Sequence, residues 1–304
     1  MKSISNKKYF FITLFLTIFY IIFVYFSSQI NRRYILETNK FLRVPSNLKI
    51  INLGSSHGLF GIKYPKNIEG YNFSLVSQTM YYDAKILNKY KNHLSRDAVV
   101  IIPVSIFSFY NDKKLEERYY NFLEYQDIEK GKRKDEILFK NFSIFFYRHS
   151  LMKTMRYMFQ SLIKRKMIPE DIEWSNKKLT MKELEDETEN TARQHLENNE
   201  LHVEYIKEIL DICQENGLNP VIITTPQSYL YNNRIGKENY KKRIYSHINN
   251  LKKEYNFIYL DYSHNEKFEN NLEYFMDDDH LNEKGAEYFT KILLKDIDEI
   301  ILEN

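Results

Sequence analysis

Two short segments carry residue types suited to nucleophilic chemistry. The first, Ile50-Ile-Asn-Leu-Gly-Ser-Ser-His-Gly58, runs an apolar stretch straight into Gly54, Ser55, Ser56 and His57. In a doubly wound sheet ligands bind beyond the carboxyl ends of the strands, so a serine just past the first strand stands where a nucleophile is useful. A helix start at the same place would aim backbone N–H groups at an anionic intermediate. Taken alone, Gly-Ser-Ser is equally an ordinary strand exit and helix cap. The second segment, from Tyr274 to Phe289, sets Asp277 three residues before His280 and just ahead of Asn282. Asn282 suits the N-cap of a final helix that buries Ala286, Phe289, Leu293 and Ile300. A carboxylate so placed accepts the Nδ1 proton of the imidazole and leaves Nε2 facing a hydroxyl. Asp277, Asp278, Asp279 and His280 are also metal-ligand types, but no second His or Cys motif accompanies them. No metal or other cofactor is therefore expected.

The elements that must position these segments read as alternating strands and helices. Leu48 to Leu53, Ala98 to Ile102, Pro220 to Thr225 and Phe257 to Asp261 are short apolar runs, the form of strands buried on both faces of a parallel sheet. Between them, helices are predicted over Thr79 to Leu94, Leu201 to Asn216 and Lys237 to Tyr255. In the second helix, Tyr205, Ile206, Ile209, Leu210 and Cys213 repeat at three- and four-residue steps. The expected fold is a doubly wound α/β domain over residues 48–304. An aromatic and basic stretch, then an acidic one, interrupts it over about 107–199 and reads as a mostly helical insertion.

Charge and cysteine content exclude other classes. Of 44 Lys and Arg, Lys2, Lys7, Lys8, Arg32 and Arg33 fall in the first 33 residues, where there is no acid. The remaining chain is slightly acidic, so no clustered cation excess points to nucleic acid. One cysteine, Cys213, allows no intramolecular disulfide. After a short basic tail over residues 1–8, residues 9–31 carry no formal charge and are dominated by Phe, Ile, Leu and Tyr. Roughly 20 helical residues cross a hydrocarbon core of about 30 Å, so one transmembrane anchor is expected there, with residues 32–47 as a linker. A cleaved signal peptide is the rival reading, but the run is long and ends in Ser27-Ser28-Gln29-Ile30 without a clear small-residue cleavage site. Basic residues flank both ends, so charge bias leaves the orientation open.

A strand followed by Gly-x-Ser at the start of an α/β domain, with Asp-x-x-His before its last helix, resembles the SGNH/GDSL hydrolase superfamily. Gly54-Ser55-Ser56-His57 and the N-terminal anchor resemble its membrane-tethered branch, which includes the DltD-like proteins and relatives of the alginate acetylation proteins. The resemblance implies Ser56 as nucleophile, His280 as base and Asp277 as its orienting acid, with Ser55 where many members have Asp. It also implies O-acyl transfer, O-acetyl above all, to a cell-envelope glycan through an acyl-Ser56 intermediate. The acyl groups would come from a membrane-bound O-acyltransferase partner, and the domain would lie outside the cytoplasm. Two family blocks depart from the pattern. Ser77, in Asn72-Phe-Ser-Leu-Val-Ser77, stands where a Gly donates to the oxyanion, and Pro103-Val-Ser-Ile-Phe-Ser108 replaces Gly-x-Asn-Asp. Asn72, Ser77 and His57 are the remaining oxyanion or substrate candidates. A carbohydrate esterase or deacetylase and a non-catalytic scaffold of a glycan-modifying complex remain as alternatives.

Overall fold

The computed structural model describes residues 7–22, 37–110, 116–128, 131–137 and 180–303. The chain forms two compact units, one of Met1–Arg43 with Leu115–Glu173, the other of Val44–Lys114 with Trp174–Asn304.

The second unit is an α/β fold built on five parallel strands, β1 (Leu48–Asn52), β2 (Gly70–Asn72), β3 (Leu94–Pro103), β4 (Asn219–Thr224) and β5 (Ile258–Asp261). Their order is β2-β1-β3-β4-β5, so the chain reverses its direction of travel across the sheet between β1 and β3. That reversal opens a crevice at the carboxyl ends of the two strands, where doubly wound folds bind ligands. The apolar runs form strands because both sheet faces are covered. Ile50, Val99, Ile101, Val221 and Ile223 pack on one face with Phe289, Leu293 and Ile297, while the alternate residues Ile51, Val100, Ile102 and Ile222 are fully buried as well. β2 has no apolar run to announce it. It is three half-buried residues at the sheet edge, paired with β1 from Ile50↔Gly70 to Asn52↔Asn72.

The helices that matter for the site are α1 (Ser56–Gly61), α2 (Met80–Tyr90), α3 (Met181–Glu197), α4 (Glu204–Glu215), α5 (Tyr229–Ile235) and α6 (Glu283–Glu303). α6 starts where Asn282 Oδ1 accepts from the Gly285 N–H at 3.0 Å, satisfying one of the free donors of the first turn. Its buried stripe is Ala286, Phe289, Leu293 and Ile297. Ile300, near the end of the helix, is only half-buried, and Ile297 is the buried residue one turn before it. Truncating Phe289, which is fully buried, would cost about 3–5 kcal/mol in lost burial and cavity formation. α3 opens on a capping box, with Glu183 N donating to Thr180 Oγ1 and Thr180 N donating to Glu183 Oε2. Its far end is held by the buried Arg243, whose guanidinium donates to the carbonyls of His195, Leu196 and Asn198 and lies 4.3 Å over the Tyr110 ring.

Within the expected insertion, the described residues include 3₁₀ turns at Ser108–Tyr110 and Glu117–Asn121, a helical turn over 133–137, and α3, with no strand. Trp174 and the run from Phe142 to Arg148 lie outside the described residues. In the first unit, the Phe41 and Phe122 rings stack with centroids 4.0 Å apart, and Arg118 pairs with Glu116 at 2.9 Å. A helix covers residues 7–22 with its side chains exposed. No helix among the described residues is long and apolar enough to cross a membrane; the expected span over 9–31 runs on into residues 23–36, which lie outside them.

Candidate active site

The turn after β1 is shaped by two glycines. Gly54 takes φ 111, a backbone conformation that side chains rarely adopt, and its N–H donates to the buried Asp83 carboxylate at 2.8 Å. Gly58 lies so close to the end of β1 that a Cβ there would stand 2.6 Å from the Leu53 carbonyl. The tight exit brings Ser56 to the first residue of α1, half-buried and facing the loop that precedes α6.

That loop is organised by Asp277. Its Oδ1 accepts from the backbone N–H groups of Asp279 at 3.1 Å and His280 at 2.7 Å, a local turn that sets the imidazole. His280 Nε2 then lies 2.8 Å from Ser56 Oγ, across 224 residues of sequence, and Nδ1 lies 2.9 Å from Asp277 Oδ2. With Nδ1 protonated toward a carboxylate, Nε2 is left as the acceptor for the serine proton.

A second carboxylate, which spacing did not single out, reaches the same ring. Asp279 Oδ1 is 2.9 Å from His280 Nδ1, and Asp279 Oδ2 is 3.1 Å from His57 Nε2. His57 Nδ1 in turn bonds Ser105 Oγ. All three members of this second line, Ser105, His57 and Asp279, are buried. His195 on α3, assigned to no motif, closes the group; its Nδ1 is 2.7 Å from Tyr231 Oη, and its ring packs 4.4 Å from that of Phe107.

Charge in this cluster is divided unequally. Burial works against the His280 imidazolium, but the Asp279 and Asp277 carboxylates outweigh it and hold its pKa well above the usual imidazole value. Burial likewise opposes ionisation of Asp279, and the charges and hydrogen bonds of His280 and His57 overcome it, holding the carboxyl well below its usual range. Burial pushes His195 down to about 4, so it is neutral near pH 7. Asp278 is pushed up to about 8 by burial and then by the charges of Asp279 and Asp277. One carboxyl of the adjacent pair is therefore ionised and the other protonated at neutral pH.

The other sequence candidates have different placements. Asn72 Nδ2 donates to the carbonyls of Gly58 and Ile62, both at 3.1 Å, and so holds α1 in place rather than facing Ser56 Oγ. His57 has both nitrogens engaged by Ser105 and Asp279 and is 3% exposed, which leaves it no donor for an oxyanion or substrate. Ser77 is exposed and takes φ 57, the left-handed conformation that a Gly in its place would favour. Metal-ligand types do converge: among the described residues His57, Asp279 and His280 bring ligand atoms within 4.8 Å of one another, as do Asp277, Asp278 and Asp279. The nitrogens that face Asp279, His57 Nε2 and His280 Nδ1, already bond carboxylates, so an ion in the first set would have to take the place of those bonds.

Comparison with curated proteins finds no match. One protein-family model matches residues 168–302, less than half of the chain. Among solved structures, a proposed acylhydrolase from Bacteroides fragilis is similar over 86% of this chain and 94% of its own, at 11% identity and a TM-score of 0.39, a likeness too distant to carry an argument.

Proposed function

We propose that the protein is a serine-dependent acyl-transfer enzyme in which Ser56 is the nucleophile and His280 the general base. The observation that carries this reading is the continuous line from Ser56 Oγ to His280 Nε2 at 2.8 Å and from His280 Nδ1 to Asp277 at 2.9 Å, at the carboxyl end of β1. In the first half-reaction His280 Nε2 takes the Ser56 proton as Oγ bonds the ester carbonyl carbon. The oxyanion is held by backbone N–H groups, for which Ser56 and the left-handed Ser77 are the candidates. The bond to the leaving alcohol then breaks, His280 returns the proton to that alcohol, and acyl-Ser56 remains. In the second half an acceptor hydroxyl gives its proton to His280 and takes the acyl group, and Ser56 Oγ recovers the proton.

Transfer to an envelope glycan outside the cytoplasm is supported by the resemblance to the tethered SGNH branch, as is a membrane-bound partner that supplies acyl groups. Anchoring is supported by the uncharged residues 9–31 and by the exposure of Phe10, Phe11 and Phe15 at more than 60% on the helix over 7–22. Water in place of the acceptor hydroxyl would make the enzyme an esterase.

Intact-protein mass spectrometry of the full chain after exposure to an activated short acyl ester tests the reading. The expected result is an acyl-sized mass increase in wild type that disappears in Ser56→Ala and is strongly slowed in His280→Ala. Added saccharides then separate transfer from hydrolysis. Turnover that survives Ser56→Ala would remove the nucleophile assignment. Absence of both adduct and turnover in every variant would favour a scaffold.

A further inference from the structure

The His280 ring has two carboxylates at the same nitrogen. Nδ1 lies 2.9 Å from Asp277 Oδ2 and also 2.9 Å from Asp279 Oδ1. One N–H cannot be aligned on both oxygens at once, so one of the two acceptors is in surplus.

The two acids are fastened in different ways. Asp277 is tied to its own loop, where its Oδ1 accepts from the backbone N–H groups of Asp279 and His280, and its side chain is 25% exposed. The Asp279 side chain is 2% exposed and is tied to another element, since its Oδ2 meets His57 Nε2 on α1 at 3.1 Å. A carboxylate only accepts, so His57 Nε2 carries the hydrogen of that bond, and the other ring nitrogen is taken by Ser105 Oγ beyond β3. His195 on α3 does not draw Asp279 away. Its Nδ1 stands 3.9 Å from Asp279 Oδ2 and 2.7 Å from Tyr231 Oη. Asp279 Oδ1 is therefore held against His280 by a bond in which Asp277 has no part.

This surplus changes what the loss of one acid does. In a serine triad with a single acid, replacing Asp by Asn turns an amide N–H toward Nδ1, the ring takes its proton on Nε2, and kcat falls about 10⁴-fold. In Asp277→Asn of this protein the new amide would offer a hydrogen to Nδ1 while Asp279 still accepts one from it. A hydrogen bond to an ionised carboxylate is roughly twice as strong as one between neutral groups, so Nδ1 keeps its proton.

We propose that Asp279 is a second positioning residue of the reaction, held by His57 and able without Asp277 to keep the His280 proton on Nδ1 and Nε2 open to Ser56. The proposal rests on Ser56 and His280 being nucleophile and base. The two acids are alternatives at one nitrogen, and the ring loses its orientation only when both are gone.

The test measures kcat for 4-nitrophenyl acetate on the full chain, at a pH where His280 is neutral. Asp277→Asn and Asp279→Asn are each expected to stay within about tenfold of wild type, the worth of roughly one net hydrogen bond. The double variant is expected to fall about 10⁴-fold, well beyond the product of the single losses. Circular dichroism checks that the variants lacking Asp279 are folded. Should they not fold, Asp277→Asn decides alone, through its kcat and through ¹⁵N spectra of histidine-labelled protein, in which the His280 proton stays on Nδ1. A loss approaching 10⁴-fold in Asp277→Asn, or a proton that moves to Nε2, overturns the role of Asp279 and spares the nucleophile. So does a folded double variant no slower than the product of the singles. Turnover that His280→Ala leaves unchanged overturns instead the assignment on which the proposal rests.

Discussion

Two serine–histidine pairs lie side by side in this protein, and Asp279 touches both. In one, Ser56 meets His280, and both side chains retain access to solvent. In the other, Ser105 meets His57, and both are buried. The residue types are the same and the shared carboxylate is the same. What separates them is access: a hydroxyl with no route for an ester cannot attack one, however good its base. The buried pair instead fills the hydrogen-bonding capacity of Asp279 and fixes the carboxylate that faces His280. A Ser–His–Asp line is therefore no evidence of catalysis until the surface around the serine is known.

The largest expected effect sets the two serines against each other. Ser56→Ala should lower turnover of an activated ester by about 10⁴-fold or more, while Ser105→Ala should stay within about tenfold of wild type, as measured by steady-state kinetics. Equal losses would erase the distinction. Next comes the shared carboxylate. Asp279→Asn removes a buried carboxylate that two imidazoles bond and should cost about 3–5 kcal/mol in denaturant unfolding, whereas Asp277→Asn, at a site 25% exposed on its side chain, should cost about 1 kcal/mol.

A third prediction concerns pH. His280 must be neutral to accept the Ser56 proton, and its pKa is held above the ordinary 6.5 by Asp279 and Asp277. The acid limb of kcat/KM should therefore lie above pH 6.5 and move toward lower pH in Asp277→Asn. The associated stability has the opposite sense. A raised imidazole pKa contributes stability that is full below about 6.5 and is lost as pH rises through the folded-state value. The smallest effect separates two neighbouring acids. Asp278 has its pKa raised to about 8 by burial, so folding loses stability as pH rises from the usual carboxyl value toward 8. Asp278→Asn mimics the protonated form and should be more stable than wild type at pH 7 by at least about 1 kcal/mol, with the gain shrinking toward pH 4 in melts across that range.

The sheet was largely legible in the sequence because strands covered on both faces have nothing but apolar residues to show. β2 was not, since Gly70-Tyr-Asn72 owes its strand conformation to the edge of β1 rather than to its own pattern. In the candidate site, the pairing of Asp277 with His280 could be read from spacing alone. Asp279 could not, because the Asp277 carboxylate bonds the backbone of the next turn and swings both acids to one imidazole. His195 was hidden for a different reason: α3 reads as a polar surface helix, and only the grip of Arg243 on its last carbonyls reveals that one of its faces is turned inward. Asn72 and His57 have the right chemistry for a site, but their hydrogen bonds are spent on scaffolding.

The bond between Ser56 and His280 joins residues 224 apart. The Lys63 N–H to Thr290 Oγ1 bond at 2.9 Å and the Lys63 pair with Glu287 at 2.7 Å fasten the same two ends of the domain just beside it. A nascent chain has Ser56 in place after the first strand, yet gains its base only after β3, β4 and β5 have been laid down and α6 has docked. Contacts of such long range form late and slowly. On the proposed mechanism the nucleophile is therefore unarmed through nearly all of synthesis and folding, and activity should appear during refolding only once the last helix has closed.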